Sequence, residues 1–535
     1  MAISMPLRGR KAIYGGIVFL ALTLVLWRLH SEYMPKTPVE KEKVEEPPPP
    51  PPPPPLEIGQ HYPPQNIICQ SNLDWLKELD IPFPVKYARR DIHVRSDSTA
   101  QRLSVTKINE PLLGDFQVVD PHKQDNRTAS GGIKDCMPPL TLSVPAYSKQ
   151  PPDASHILFG AASNLDRLEA SISFFERWLA HTGARLFIII SGPDDKTRPD
   201  LTRMSTMQTQ MRSLGMNVTL IEPPSYTDTF VQRYFSLVNI LYENRLPTTK
   251  WLVFIDDDTF IVSMSALTTA LSHYNPTEPH YLGTLSEEWW TVVLYGLIGM
   301  GGGGIFLTLP LASTLHTNYK NCHSDSRMTF GDHKIYECIA RHSPTRLEQL
   351  PGLYQIDIHG DRSGIFESGR QILSLHHWKE GYWSEDGAGA DAIRHSKWFP
   401  MDEMALVGSE ICDRCYLQRF QFSPDTILVP GYSISTYPTG FLSLPDEEKR
   451  LDQMEETWVT PVVVEGSGNG GWDHYVGPLR RKLELEVEKV PWRFLRGVRV
   501  QGGVREYYRH IARGEGEVDG VVELFWRREE DVGGG

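Results

Sequence analysis

Positive charge is scarce in this chain: 54 lysines and arginines stand against 67 aspartates and glutamates, for a formal net charge of −13. That balance argues against a general nucleic-acid or acidic-membrane binder. An apolar run of membrane length is barely reached. Ala12–Trp27 is uncharged and apolar but near the short limit for a span, and no A-x-A-like set of small residues follows it, which disfavours a cleaved signal peptide. Cysteine is sparse, with six residues. Cys412 and Cys415 are spaced like half of a zinc site, but no second pair of ligands matches them. The glycine run Gly301–Gly304 lacks the Gly-Lys-Ser/Thr ending of a phosphate loop, which weakens a nucleoside-triphosphate reading.

The ends of the chain read as follows. Arg8, Arg10 and Lys11 precede the apolar run and Arg28 follows it, so the positive-inside rule predicts a cytoplasmic tail over 1–11, an uncleaved signal anchor over 12–29 and a lumenal remainder. That is a single-pass type II topology. The short span suits the thinner membranes of the early secretory pathway, the endoplasmic reticulum or Golgi. Residues 30–150 read as a stem and wrapping extension, irregular beyond residue 56. It includes the charged segment Lys36–Glu46 and the unbroken run Pro47–Pro55, a semi-rigid polyproline II spacer of roughly 3.1 Å per residue. In an oxidising lumen disulfides are the default; proximity pairs Cys322 with Cys338 and Cys412 with Cys415, which leaves Cys69 with Cys136, while six cysteines permit about fifteen connectivities. The sequons at Asn126 and Asn217 agree with that compartment.

From His156 onward, short apolar runs alternate with amphipathic stretches. Strands are expected at His156–Gly160, Arg185–Ile190, Asn217–Ile221 and Trp251–Ile255, with helices at Asn164–Ala180, Pro199–Leu214 and Phe230–Asn244. The alternation predicts an α/β fold with a parallel sheet covered on both faces, over residues 151–411. Further elements are expected at Ser265–Tyr274, Tyr281–Thr284, Ile305–Thr308 and from Pro310. Residues 412–535 carry runs such as Thr426–Val429, Val462–Val464 and Val521–Trp526, which read as a small β-rich appendage.

The strand Trp251–Ile255 ends abruptly in Asp256, Asp257 and Asp258. In an open α/β sheet the carboxyl edge is where ligands bind, and clustered carboxylates there select hard divalent ions that bridge phosphates. Acidic triplets also occur on solvated loops; the apolar run before this one is what points it to a sheet edge.

Four elements in order carry a family resemblance: Phe254-Ile255-Asp256-Asp257-Asp258-Thr259-Phe260, the block Gly301–Phe306, Gly331-Asp332 running to Cys338, and Ser374-Leu375-His376-His377-Trp378. Over about residues 155–385 the chain resembles the fringe-like glycosyltransferases, a branch of the inverting β-1,3-glycosyltransferases that includes core 1 galactosyltransferases. The resemblance implies a GT-A type nucleotide-sugar-binding sandwich. It implies transfer of a hexose or N-acetylhexosamine from a UDP-sugar to a hydroxyl of a glycan or glycoprotein acceptor, with inversion. It also implies a metal, Mn²⁺ or Mg²⁺, held by Asp258 with His376 or His377, and Asp332 as general base. Where the family has an acidic pair, this chain has Gly331 and Asp332. Ala161, Ala162 and Ser163 follow the first strand, where the fold places uracil and ribose; Asp256 would touch ribose or the metal's waters beside Asp257, and Arg167 and Arg233 would reach diphosphate or base. Glu287, Glu288, Trp289 and Trp290 lie where an acceptor sugar could sit.

Two rivals follow from the same residues. A phosphatase with a nucleophilic aspartate needs a hydroxyl or small side chain at the fifth position from Asp256, which is Phe260. A lumenal sugar-binding or scaffold protein that kept the fold is favoured by Gly331 and by the long unassigned tail.

Overall fold

The computed structural model describes residues 73–79, 81–122, 137–193, 197–325, 330–358, 361–378, 400–444, 451–458, 477–514 and 516–529. The expected anchor, the proline run, Cys69, Cys136, the Asn126 sequon and the run Val462–Val464 lie outside them. Among the described residues no helix is long and apolar enough to cross a membrane.

Strands β1 (Ile157–Asn164), β2 (Arg185–Ser191), β3 (Asn217–Ile221), β4 (Trp251–Phe254), β5 (Tyr281–Gly283), β6 (Ile305–Thr308) and β7 (Leu347–Gln349) form a seven-stranded sheet ordered β7-β5-β6-β4-β1-β2-β3. β1 pairs in parallel with both β2 and β4, and β2 with β3, whereas β6 runs antiparallel to β4 and β5. The order therefore reverses between β1 and β4, and this leaves a crevice beyond their carboxyl ends. The expected parallel sheet is interrupted by β6 alone, since β5 and β7 pair in parallel beyond it.

The pleat sorts each strand's residues onto two faces. Phe159, Ala161, Ile188, Ile190 and Val253 join one core, while Leu158, Phe187, Ile189, Leu252 and Phe254 join the other. Both faces are buried because both carry helices. α1 (Leu165–Glu169) is capped by Asn164, whose side chain accepts from the Arg167 N–H, and α2 (Ile172–Leu179) follows. The expected single helix over Asn164–Ala180 is thus two, because Ser171 turns its hydroxyl back to the Arg167 carbonyl at 2.9 Å. α3 (Leu201–Ser213) starts from Asp200, which accepts from two backbone N–H groups. α4 (Phe230–Glu243) starts from a reciprocal capping box between Thr229 and Gln232, and it buries Tyr234, Phe235, Leu237, Val238 and Leu241 in the second core. α5 (Gly331–His342) contributes Ile335 and Ile339 to the same core.

Two expectations need correction. Residues 56–150 are not irregular throughout: Val85–Asp97, Val105–Ile108, Gln117–Val119 and Leu140–Pro145 are strands. The C-terminal region is β-rich as expected, but it is no small appendage. Arg419–Phe422, Thr426–Val429, Ser433–Thr436, Val490–Val500, Gly503–His510 and Gly520–Arg528 share one ten-stranded sheet with those four N-terminal strands. The join is direct, with Val85–Asp97 parallel to Gly520–Arg528 in register Lys86–Gly520 through Val94–Arg528. Disulfides link Cys322 to Cys338 and Cys412 to Cys415, the two nearest pairs in sequence. The second disulfide occupies the thiols that a zinc site would have needed.

Candidate active site

The aspartate triplet leaves β4 at the β1/β4 crevice. Thr259 fixes its turn: the Thr259 Oγ1 accepts from the Asp256 N–H at 3.0 Å and donates to the Gly302 carbonyl at 2.8 Å. The short strand Phe260–Ile261 then pairs antiparallel with Ser374–Leu375, Phe260 opposite Leu375. That two-residue register brings His376 and His377 beside the triplet. One ligand atom from each of Asp258, His376 and His377 lies within 4.8 Å of the others.

The histidines are oriented from behind. His376 Nδ1 lies 3.2 Å from the Gln355 carbonyl, which leaves Nε2 facing Asp258 at 3.0 Å and Asp256 at 3.4 Å. His377 Nε2 lies 3.4 Å from Asp357, and Asp357 accepts from the Ser286 hydroxyl. An imidazole whose one nitrogen is engaged by a carbonyl while the other faces a carboxylate is placed to ligate a metal once it gives up its Nε2 proton, with the carbonyl as its supporting shell. Gly302 makes room for it: a Cβ there would come within 2.2 Å of His376 Nδ1.

Burial and mutual charge shift the acid-base balance of these groups. Burial pushes Asp256 up to about 6, with His376 opposing and Asp258 adding to the rise. Burial opposes ionisation of Asp258 as well, but the His376 hydrogen bond and charge hold it well below the usual carboxylate range. Burial likewise works against His376⁺, yet the Asp258 hydrogen bond and the Asp256 charge outweigh it and push His376 up to about 9. This chemistry fits a divalent ion, which would take over the role that the imidazolium plays here.

Asp332 opens α5. Its carboxylate accepts from the Gly301 N–H at 3.2 Å and from the His333 N–H at 2.7 Å. Burial raises its pKa despite those two bonds. Asp332, Asp256, Asp257, Asp258, His376 and His377 all line one cavity of about 560 Å³, together with Ser163, Arg167, Arg233 and Tyr234.

A family model described as Fringe-like matches residues 172–330, so the triplet falls within the match and the histidines beyond it. Over those residues the chain is similar to the fringe-like family. A second family model, described as a protein of unknown function (DUF604), matches residues 293–441. Solved structures similar to the chain include the glycosyltransferase GlyE of Streptococcus pneumoniae, at 14% identity over 48% of this chain and 60% of that one, TM-score 0.29. They also include a mannosyltransferase from Pyrobaculum calidifontis in complex with GDP-Man and Mn²⁺, at 11% identity over 48% and 72%, TM-score 0.28, and mouse xyloside xylosyltransferase 1, at 12% identity over 36% and 84%, TM-score 0.26. The chain spans less than two thirds of the pneumococcal protein. Among curated proteins none matches the chain.

Around the cavity, the other expected residues divide by what they touch. Asp257 faces Arg167 rather than open solvent: Arg167 Nε donates to it at 2.7 Å, Nη2 donates to its other oxygen, and the Ser163 hydroxyl donates too. Arg233 lines the cavity while Nη1 donates to the Asp228 carbonyl at 2.9 Å. Ala161 does not reach the cavity. The pleat turns it into the core with Phe159, and it is Ala162 that lines the site. Glu287 is buried, and its carboxylate accepts from the Gln355 N–H at 3.0 Å and the Asp357 N–H at 3.3 Å; burial pushes it up to about 7. It therefore shapes the loop that supports both histidines instead of facing an acceptor.

Gln355, Asp357 and Tyr234 are site residues that the sequence did not mark. Tyr234 explains the departure at Gly331: a Cβ at Gly331 would come within 2.3 Å of the Tyr234 ring, so the place of the family's first acid is closed by an aromatic side chain.

Proposed function

We propose that this chain is a metal-dependent inverting glycosyltransferase of GT-A type. It moves a hexose or N-acetylhexosamine from a UDP-sugar to a hydroxyl of a glycan or glycoprotein acceptor and forms a β-1,3 linkage. The observation that carries the proposal is the convergence of Asp258, His376 and His377 within 4.8 Å, in the same cavity as Asp332. That cavity lies at the strand-order reversal, where α/β sheets bind ligands. The proposed setting is the lumenal side of a Golgi or endoplasmic reticulum membrane, with 12–29 as anchor; exposed Asn217 at the start of β3 supports it as an accessible glycosylation site.

Inversion needs one in-line displacement. The acceptor oxygen bonds to the anomeric carbon as the carbon–phosphate oxygen bond breaks, and the acceptor's proton passes to Asp332. The raised pKa of Asp332 suits a group that must take up that proton. Asp258, His376 and His377 would hold Mn²⁺ or Mg²⁺, which when bound supplies Lewis-acid neutralisation of the departing diphosphate. Arg167, held against Asp257 and 3.9 Å from Asp258, adds positive charge on the β1 side of the crevice. No covalent intermediate is required.

The test is release of UDP from a panel of UDP-sugars by the purified full-length chain, with and without Mn²⁺, beside Asp258→Asn and Asp332→Asn. Metal-dependent turnover of one donor, lost in both variants, is the expected result. An absence of both turnover and metal-dependent UDP binding would instead favour the noncatalytic sugar-binding reading, which Gly331 keeps in view.

A further inference from the structure

Tyr234 is buried, 2% exposed, at the floor of the cavity. Its ring lies over Gly331, and its hydroxyl meets Gly301, where an added Cβ would be 2.6 Å from Tyr234 Oη. The same position would be 3.5 Å from Asp256 Oδ1, and the Gly301 N–H donates to Asp332 at 3.2 Å. Three functional groups therefore gather around one glycine: a carboxylate beside the histidine and triplet cluster, the proposed base, and a phenol between them. The phenol oxygen is buried with no hydrogen-bond partner among the described residues, whereas Asp256 faces His376 at 3.4 Å and Asp332 accepts from two backbone N–H groups. Buried hydroxyls are nearly always satisfied, so an orphan that lines a binding cavity points to a group supplied by the ligand.

We infer that the Tyr234 hydroxyl exchanges a hydrogen bond with a hydroxyl of the donor's hexose ring, making Tyr234 a determinant of donor-sugar recognition. The inference rests on the transferase reading. In that reading the diphosphate lies against Asp258, His376 and His377 and the acceptor against Asp332, so the group between these two sets is the sugar. Gly301 and Gly331 are both needed for the tyrosine to stand there. The chain thus has a phenol where the family's pattern has a second acid. A neutral hydroxyl in that place recognises a sugar hydroxyl without adding a further charge to an already acidic cavity.

The experiment compares the full-length chain with Tyr234→Phe, which keeps the ring over Gly331 and removes one oxygen. Equilibrium binding in Mn²⁺ is measured for UDP, UDP-galactose, UDP-glucose and UDP-N-acetylglucosamine, alongside thermal unfolding. The inference expects about tenfold weaker binding of the wild type's preferred UDP-sugar, as for loss of one hydrogen bond. UDP affinity and the unfolding midpoint should be unchanged. Equal weakening of UDP and UDP-sugar would overturn it, by placing the contact on the nucleotide or diphosphate. Unchanged binding of every probe, with or without a shifted midpoint, would overturn it as well, by making the residue structural. A wild-type chain that binds neither UDP nor any UDP-sugar would instead sink the transferase reading, and this inference with it.

Discussion

Around the ten-stranded sheet, most buried acids meet cations. Lys489 lies 2.6 Å from Glu367 and 2.9 Å from Glu455, Arg493 lies 2.8 Å from Glu367, Arg509 pairs with Asp519, and Glu523 is held by Arg505 and the Tyr87 hydroxyl. In the β1/β4 crevice Asp256, Asp257, Asp258 and Asp332 share one cavity with Arg167 and Arg233 on its wall and two histidines. The first arrangement closes on itself and leaves nothing for a ligand to satisfy. The second is incomplete in charge: burial pushes Asp256 and Asp332 up towards the neutral form, whereas, against burial, their cations hold Glu367 and Glu455 below the usual carboxylate range. Acids whose charge is unmet in a cleft mark function, while equally buried but paired acids mark structure.

The comparison can be broken from either side. The largest effect belongs to Asp332→Asn, expected to lower kcat by roughly 10²–10⁴-fold, the usual range for loss of a general base. A thermal melt should show no loss of stability, because a buried carboxylate with a raised pKa is no stabilising partner. Lys489→Ala should do the reverse. It removes the cation shared by Glu367 and Glu455, leaving each with one arginine, Arg493 and Arg480, and is expected to cost about 1.5–3 kcal/mol in urea unfolding, with UDP affinity of the folded chain preserved. Gly302→Ala tests the histidine's seat. Displacing His376 should weaken Mn²⁺ binding by about 10–100-fold in a calorimetric titration, and normal metal affinity would refute the assignment of His376 as ligand.

The smallest effect sharpens the structural side. Glu506 is the exception in the sheet region: among the described residues no cation pairs with it, Tyr508 donates to it at 2.8 Å and Trp526 at 2.6 Å, and burial pushes it up to about 7. Its folded pKa lies above its unfolded value, so the folded state binds the proton more tightly. Its contribution is neutral below the unfolded pKa, and stability falls as pH rises through the folded one. The slope reaches at most about 1.4 kcal/mol per pH unit. Glu506→Gln should remove that slope from urea midpoints measured across pH 4–8, and an unaltered slope would assign it to other groups.

Much of the α/β part was legible because each of its signals is local. β3 and β6 fall on the expected Asn217–Ile221 and Ile305–Thr308, and the triplet stands at the end of a run of buried apolar residues. What escaped is nonlocal. Val85–Asp97 falls in the stretch read as irregular, yet Arg90 is 1% exposed, because its guanidinium reaches Glu110 at 3.1 Å and the Pro111 carbonyl; alternation in hydropathy was masked by a buried arginine. The tyrosine that fills the space beside Gly331 comes from α4, far upstream, so no spacing near Gly331 announces it. Ala161 was misplaced by a single residue of pleat, which is enough to exchange cavity for core.

The parallel pairing of Val85–Asp97 with Gly520–Arg528 also sets an order of events on the ribosome. Gln117–Val119 and Leu140–Pro145 can cover one edge of the early strand soon after it emerges. Its other edge waits for the last strand, with Tyr87 and Glu523 separated by 436 residues. Until that strand has emerged, a long unsatisfied strand edge is open to pairing with neighbouring chains. A fragment cut at residue 411 would keep the crevice residues and leave that edge bare, so the crevice half is tied to Gly520–Arg528 by assembly rather than by chemistry.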